Sequence, residues 1–184
     1  PGTAFRYSDI NFILLGEVVH RVSRRSLEEF VAHEIYLPLK MLDTGYLPPA
    51  SKSLRIAPTE MTDGVMLRGT VHDPTARFMG GVAGHAGLFT TAADLARYAR
   101  MVLNEGMLDG IRIFKPETVR LMTSVQTPPA VSSRRGLGWD IDSGYSRPRG
   151  KIFPLGSYGH TGFTGMCLWI DPFSKTFWIF LSNR

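Results

Sequence analysis

The chain has 184 residues, 43% of them hydrophobic and 20% charged, which is ordinary globular content with enough apolar material for one sizeable core and argues against disorder. Lys and Arg exceed Asp and Glu by 21 to 16, a formal net charge of +5, but Arg24-Arg25 and Arg134-Arg135 are only pairs. They are not the basic runs with interleaved aromatics of a nucleic-acid groove, so nucleic acid is excluded as the expected partner.

Pro1-Gly2-Thr3 is turn material, and Ser8 or Asp9 is placed to cap a helix from about Asp9 to Val22 by accepting free N-terminal N–H groups. Ile10, Ile13, Leu14, Val18 and Val22 recur at helical spacing. Phe12, Leu15 and Val19 widen the stripe until most of this helix is expected to be buried. Ser26-Leu27-Glu28-Glu29 is a capping box opening a second helix to about Ile35, which Pro38 ends. From Asp43 to about Gly81 the abundance of Pro, Gly, Asp and Thr predicts long irregular connections, with a short strand near Leu54-Ile56. Loops this long often shape a binding site.

Residues 80 to 87 contain four glycines among eight residues, which demands close backbone approach or unusual dihedrals. No Lys follows the last of them, so this is not a phosphate-cradling loop. Thr91 with Asp94 caps a third helix to about Asn104 that carries Leu95, Tyr98, Ala99 and Val102 inward, and Gly106 stops it. A short helix follows from Pro116 to Met122. The period then changes: 138–141, 166–170 and 176–181 read as strands, the last two joined through a turn at Asp171-Pro172-Phe173-Ser174-Lys175. Helices first and hairpin strands last imply an α+β arrangement, an antiparallel sheet packed with a helical region, and no linker divides it into two domains.

Other chemistries leave no trace. His33-Glu34 lacks the second His of a zincin, since Leu37 occupies that position. There is no G-x-S-x-G elbow, and one Cys with five dispersed His gives no zinc spacing, so neither metal nor cofactor is expected. Cys167 lies in an apolar run and reads as a buried, inert thiol that closes no intrachain disulfide. No stretch approaches the roughly 18 apolar residues of a membrane span.

Three ordered segments carry a resemblance: Pro1 to Asp9 followed by the helix containing Ile13-Leu14-Leu15-Gly16; Gly84-His85-Ala86-Gly87-Leu88-Phe89 running into Thr91 and Asp94; and His160-Thr161-Gly162 entering the first strand of the terminal hairpin. The set resembles the class C β-lactamases, DD-peptidases and related esterases of the penicillin-binding-protein type. The resemblance implies acyl transfer, in which a Ser attacks an amide, lactam or ester carbonyl and water releases the acyl-enzyme.

In that family Ser and Lys come from a Ser-x-x-Lys motif upstream of the Tyr motif. Here no Ser is followed three positions later by Lys. The chain therefore reads as one partial domain, residues 1–184, truncated at both ends, which should not acylate or fold well alone. Residues 166–181 are expected to present unpaired edges and apolar faces.

By the resemblance Tyr7 and His160 are the catalytic candidates, lining one pocket, and Asp9, Thr161, Gly162 and Phe163 bind substrate. Tyr7 matches the catalytic Tyr, a phenol that needs a nearby cation to relay protons. Asp9 replaces the usual Asn, and an ionised carboxylate only accepts hydrogen bonds. His160 stands where many relatives have Lys, with a pH-sensitive charge. Thr161 offers a hydroxyl, Gly162 lets substrate approach the strand, and the Phe163 N–H contributes to an oxyanion hole. His72-Asp73 and His85 are read as loop-ordering residues.

The implied substrate is a peptidoglycan peptide, β-lactam or small ester, and the implied location is extracytoplasmic in a bacterium, with any export signal upstream. The alternative is a catalytically inactive member of the same fold that binds peptidoglycan or a partner.

Overall fold

The computed structural model describes residues 2–183. Pro1 of the expected opening turn and Arg184 at the end of the chain lie outside the described residues. The described residues form two compact units, one of 7–94 with Asn183 and one of 2–6 with 95–182.

The Tyr7–Asp94 unit opens with helix α1, Ile10–Ser23, within a residue of the expected bounds. Asp9 does not cap it with its side chain. Its backbone is already helical, and its carbonyl takes the Phe12 and Ile13 N–H groups at 3.0 Å each. The expected burial also fails: no residue of α1 is buried, and Val22 is 80% exposed. Gly16 faces Gly84 and Leu27 closely, but apolar residues surround the helix and the described residues leave most of them uncovered. Periodicity reports what a helix is suited to bury, not whether its cover is present.

Helix α2, Leu27–Val31, carries the predicted capping box in both directions, with Glu29 N–H on Ser26 Oγ at 3.4 Å and Ser26 N–H on Glu29 Oε2 at 3.3 Å. A π-helical turn, Ala32–Tyr36, prolongs it up to Leu37. Where a strand was expected near Leu54, the chain instead forms a 3₁₀ helix, Ala50–Arg55. That conformation sets Lys52 and Arg55 one turn apart, and both reach the Asp43 carboxylate, at 2.8 and 2.7 Å. Strands β1, Met61–Thr62, and β2, Val65–Met66, form a tight hairpin around Asp63-Gly64, both at positive φ. This is the Asp-Gly signature of a two-residue turn.

Helix α3, Pro74–Phe78, follows, with Asp73 capping it through the Ala76 N–H at 2.7 Å and Pro in the first turn. Ala76 packs with Val71, Ala83 and Ala86 in a small core. The glycine-rich segment behaves as its composition demands. A Cβ at Gly84 would collide with the carbonyl of Phe12 in α1, so only glycine permits this approach.

Helix α4, Ala92–Leu103, is capped by Thr91 Oγ on the Asp94 N–H at 3.2 Å. In the second unit it buries Ala99, Met101 and Val102, and Leu95 and Tyr98 are half-buried. A second Asp-Gly hairpin joins β3, Met107–Leu108, to β4, Ile111–Arg112, and α5 spans Pro116–Thr123.

Five antiparallel strands complete this unit in sequence order: β5, Arg134–Arg135; β6, Asp140–Asp142; β7, Tyr158–Gly162; β8, Met166–Asp171; and β9, Thr176–Leu181. The α+β expectation holds. Of these five strands the sequence reading missed two, β5 and β7. His160-Thr161-Gly162 does not enter the terminal hairpin; it forms the second half of β7, paired Cα to Cα with Leu168, Cys167 and Met166 of β8. A Cβ at Gly159 would strike the Trp169 ring and the Leu168 carbonyl, so β7 carries glycines where a strand pattern would carry β-branched residues.

Strand β8 is paired on both sides and buried from Cys167 to Asp171, against the expectation of open edges there. Trp169 is fully buried with its indole N–H donated to Ser157 Oγ at 3.0 Å. Only β9 meets the expectation, as an outer strand with Phe180 and Leu181 exposed.

Candidate active site

Each candidate residue is set by the element that carries it. Strand alternation sends His160 and Gly162 to one face of β7 and Thr161 to the other. Thr161 is exposed, and Phe163, 71% exposed, begins the turn to β8 that the Gly165 N–H closes on the Gly162 carbonyl at 3.1 Å. The place a Cβ would take at Gly162 lies 2.8 Å from Cε of Met166. The glycine therefore also serves its own strand partner.

His160 is not a free cation. Its Nε2 lies 2.9 Å from Nη2 of Arg135, and its Nδ1 lies 2.7 Å from the Thr161 carbonyl oxygen. Arg135, on β5, is the functional candidate that the sequence reading missed. Its Nη1 is 3.4 Å from Oδ1 of Asp140, its guanidinium stacks 5.2 Å from the centre of the Phe5 ring, and its side chain is only 10% exposed. Asp140, 2% exposed, is satisfied further by Ser143 Oγ at 2.7 Å and Ser146 Oγ at 2.8 Å. Ion, ring and hydroxyls thus compensate a buried pair that would be costly bare. Two partners 25 residues apart in sequence leave no local pattern, and an Arg-Arg dipeptide reads as surface charge.

In the other unit Tyr7, 45% exposed, lies in extended chain ahead of α1, and Asp9 opens that helix with its carboxylate exposed to solvent. The resemblance's candidates thus divide, Tyr7 and Asp9 in one unit and residues 160–163 in the other.

The loop-ordering reading of His72-Asp73 and His85 agrees with the geometry. His72 Nε2 meets Glu60 Oε1 at 2.8 Å, and His85 Nε2 meets Asp73 Oδ1 at 2.9 Å, the same oxygen that caps α3. Burial works against the charge on Asp73, but the Ala76 N–H and His85 outweigh it and hold the carboxyl below its ordinary range. The His85 side chain is 4% exposed, and its Nδ1 is buried without a hydrogen-bond partner among the described residues.

Cys167 is buried in β8, and desolvation pushes its thiol up to about 11, in keeping with an inert sulfur. Among the described residues no group of His, Cys, Asp and Glu is arranged to hold a metal ion. Two shallow depressions in the second unit, one of about 380 Å³ along Leu103 to Asp109 and one of about 250 Å³ around Ser132 and Ser143, contain none of the candidates.

Known proteins give this geometry its setting. The Beta-lactamase family model matches residues 1–184. A protein of Escherichia coli (strain K12) named "Putative D-alanyl-D-alanine carboxypeptidase" is 35% identical over 202 residues, which cover 100% of this chain and 46% of that one. A protein of the same name from Salmonella schwarzengrund is 34% identical over 207 residues, again 100% of this chain and 46% of the other. The chain thus spans about half the length of these relatives.

Among solved structures, a β-lactamase from Mycobacterium bovis superposes with a TM-score of 0.71 at 23% identity, covering 100% of this chain and 58% of that one. A penicillin-binding-protein homologue from Caulobacter crescentus gives 0.68 at 22%, covering 92% and 50%. Simvastatin synthase from Aspergillus terreus gives 0.72 at 18%, covering 100% and 51%, so the shared fold hosts differing chemistries. With the family model matched from end to end, the chain belongs to the beta-lactamase family.

Proposed function

We propose that the full-length protein is a serine hydrolase of the DD-carboxypeptidase type, which cleaves a peptidoglycan peptide, or a β-lactam or ester resembling it, through an acyl-enzyme. The observation that carries this reading is 35% identity along the entire chain to the Escherichia coli relative and its name. The nucleophile is assigned to a Ser-x-x-Lys segment, which these 184 residues do not contain.

On this reading Ser Oγ attacks the substrate carbonyl carbon, and its proton passes through Tyr7 to the departing amine as the C–N bond breaks. The ester left on Ser is then hydrolysed by water. The Phe163 N–H stabilises the oxyanion, and Thr161 and Gly162 hold the substrate along β7. Asp9, able only to accept when ionised, selects a donor on the substrate. His160, with both ring nitrogens engaged, is assigned a positioning role in place of proton transfer. Such a substrate lies outside the cytoplasmic membrane, and the reading carries an extracytoplasmic location with it.

A fluorescent penicillin and an active-site-directed phosphonate test the proposal. At least one is expected to label the full-length protein covalently, and neither is expected to label residues 1–184 alone. Failure of both on the folded full-length protein removes the hydrolase reading and leaves the inactive binding module.

A further inference from the structure

We infer that Arg135 is the positioning residue of His160, fixing it as the neutral Nδ1–H tautomer and through it aligning the backbone of β7; the link to catalysis rests on the function proposed above.

The donors and acceptors of the three groups fix the assignment. A guanidinium donates and never accepts, so the 2.9 Å contact from Arg135 Nη2 makes His160 Nε2 the acceptor, a nitrogen without a proton. A carbonyl oxygen only accepts, so the 2.7 Å contact to the Thr161 carbonyl makes Nδ1 the donor. Both contacts are met by one tautomer, the reverse of the Nε2–H form that a neutral histidine ordinarily prefers, and it is the guanidinium, a permanent cation, that excludes a proton from Nε2.

Arg135 is itself held on its other edges. Asp140 lies 3.4 Å from Nη1, the Phe5 ring lies under the guanidinium, and both ionic side chains are nearly inaccessible. Asp140 is in turn fixed by the hydroxyls of Ser143 and Ser146. The result is a relay from Asp140 through Arg135 and His160 to the carbonyl of Thr161, the residue that precedes Gly162 and Phe163. Phe5 anchors the relay on the opening segment of the same unit. A lysine in place of His160 would carry its own mobile charge; here the charge belongs to Arg135 and is permanent.

The experiment is long-range ¹H–¹⁵N correlation spectroscopy of the full-length, histidine-labelled protein at neutral pH without substrate, with His160 identified by the signals lost in His160→Gln. The expected spectrum has Nδ1 in the protonated range and Nε2 in the unprotonated range. An Nε2–H spectrum overturns the inference. Arg135→Gln is expected to shift His160 towards Nε2–H, and Arg135→Lys, also donor-only, to restore Nδ1–H. A folded Arg135→Gln variant that keeps the Nδ1–H form also overturns it. If Arg135→Gln does not fold, the wild type decides: a nitrogen–nitrogen coupling across the bond from a guanidinium to Nε2 supports the relay, and an Nδ1–H ring without it overturns the relay.

In the labelling assay, Arg135→Gln should slow acylation by roughly 100-fold, with partial rescue by Lys. Unlabelled wild type with the expected tautomer would defeat the hydrolase reading and leave the relay standing.

Discussion

Two histidines in two regions show how one residue type is given opposite chemistry by its neighbours. In the glycine-rich turn His85 turns Nε2 to the Asp73 carboxylate, so that nitrogen carries the proton and the buried Nδ1 is left over. In β7 His160 turns Nε2 to a guanidinium, so that nitrogen is bare and Nδ1 carries the proton. Both rings are tied within their own units. The difference teaches that a histidine in a family motif need not be the group that moves protons; the charge of its nearest partner decides which nitrogen keeps the proton.

The largest effect that would break this comparison is kinetic. If proton transfer belongs to Tyr7, then Tyr7→Phe in the full-length protein should slow acylation towards the upper end of about 10²–10⁴-fold, whereas His160→Gln should cost no more than the roughly 100-fold of Arg135→Gln, which acts through it. Equal losses in stopped-flow labelling would return His160 to the proton path. Next comes the buried pair. Arg135→Ala strands Asp140 in the interior, and the expected loss is about 3–5 kcal/mol in urea unfolding. A loss below about 1 kcal/mol would mean the carboxylate is hydrated and the relay loose. Gly84→Ala should cost about 1–3 kcal/mol, because its methyl must displace the Phe12 carbonyl of α1. An unchanged denaturation midpoint would show that this approach is not fixed, and with it the turn that presents His85.

Which parts were legible follows from how local each signal is. The capping box at Ser26, the glycine-rich approach at Gly84 and the strands at Met166 and Thr176 are decided within a few residues, and all appear where the sequence puts them. The hairpins at Asp63-Gly64 and Asp109-Gly110 were equally legible through their turn dipeptides and passed unread. The short strand β5 and the glycine-bearing β7 were not legible, since neither shows the alternation that marks a strand. The candidate site divides along the same line. Tyr7 and residues 160–163 come from contiguous motifs, whereas Arg135 becomes functional only once β5, β6 and β7 lie side by side.

The smallest expected effect concerns the other histidine. Asp73 Oδ1 serves two groups, capping α3 through the Ala76 N–H and receiving His85 Nε2, so Asp73→Ala should cost about 1 kcal/mol for the cap alone and somewhat more with the ring left over. Asp73→Asn retains a cap oxygen and should cost less. The carboxyl is held below its ordinary value when folded, so its contribution is fully present above the unfolded pKa of about 4 and is lost as pH falls through the lower, folded value. The gap in unfolding free energy between wild type and Asp73→Ala should therefore be widest near neutrality and shrink towards pH 3. A gap independent of pH would show that Asp73 acts through shape alone, and the contrast between an acid-held and an arginine-held histidine would then rest on His160.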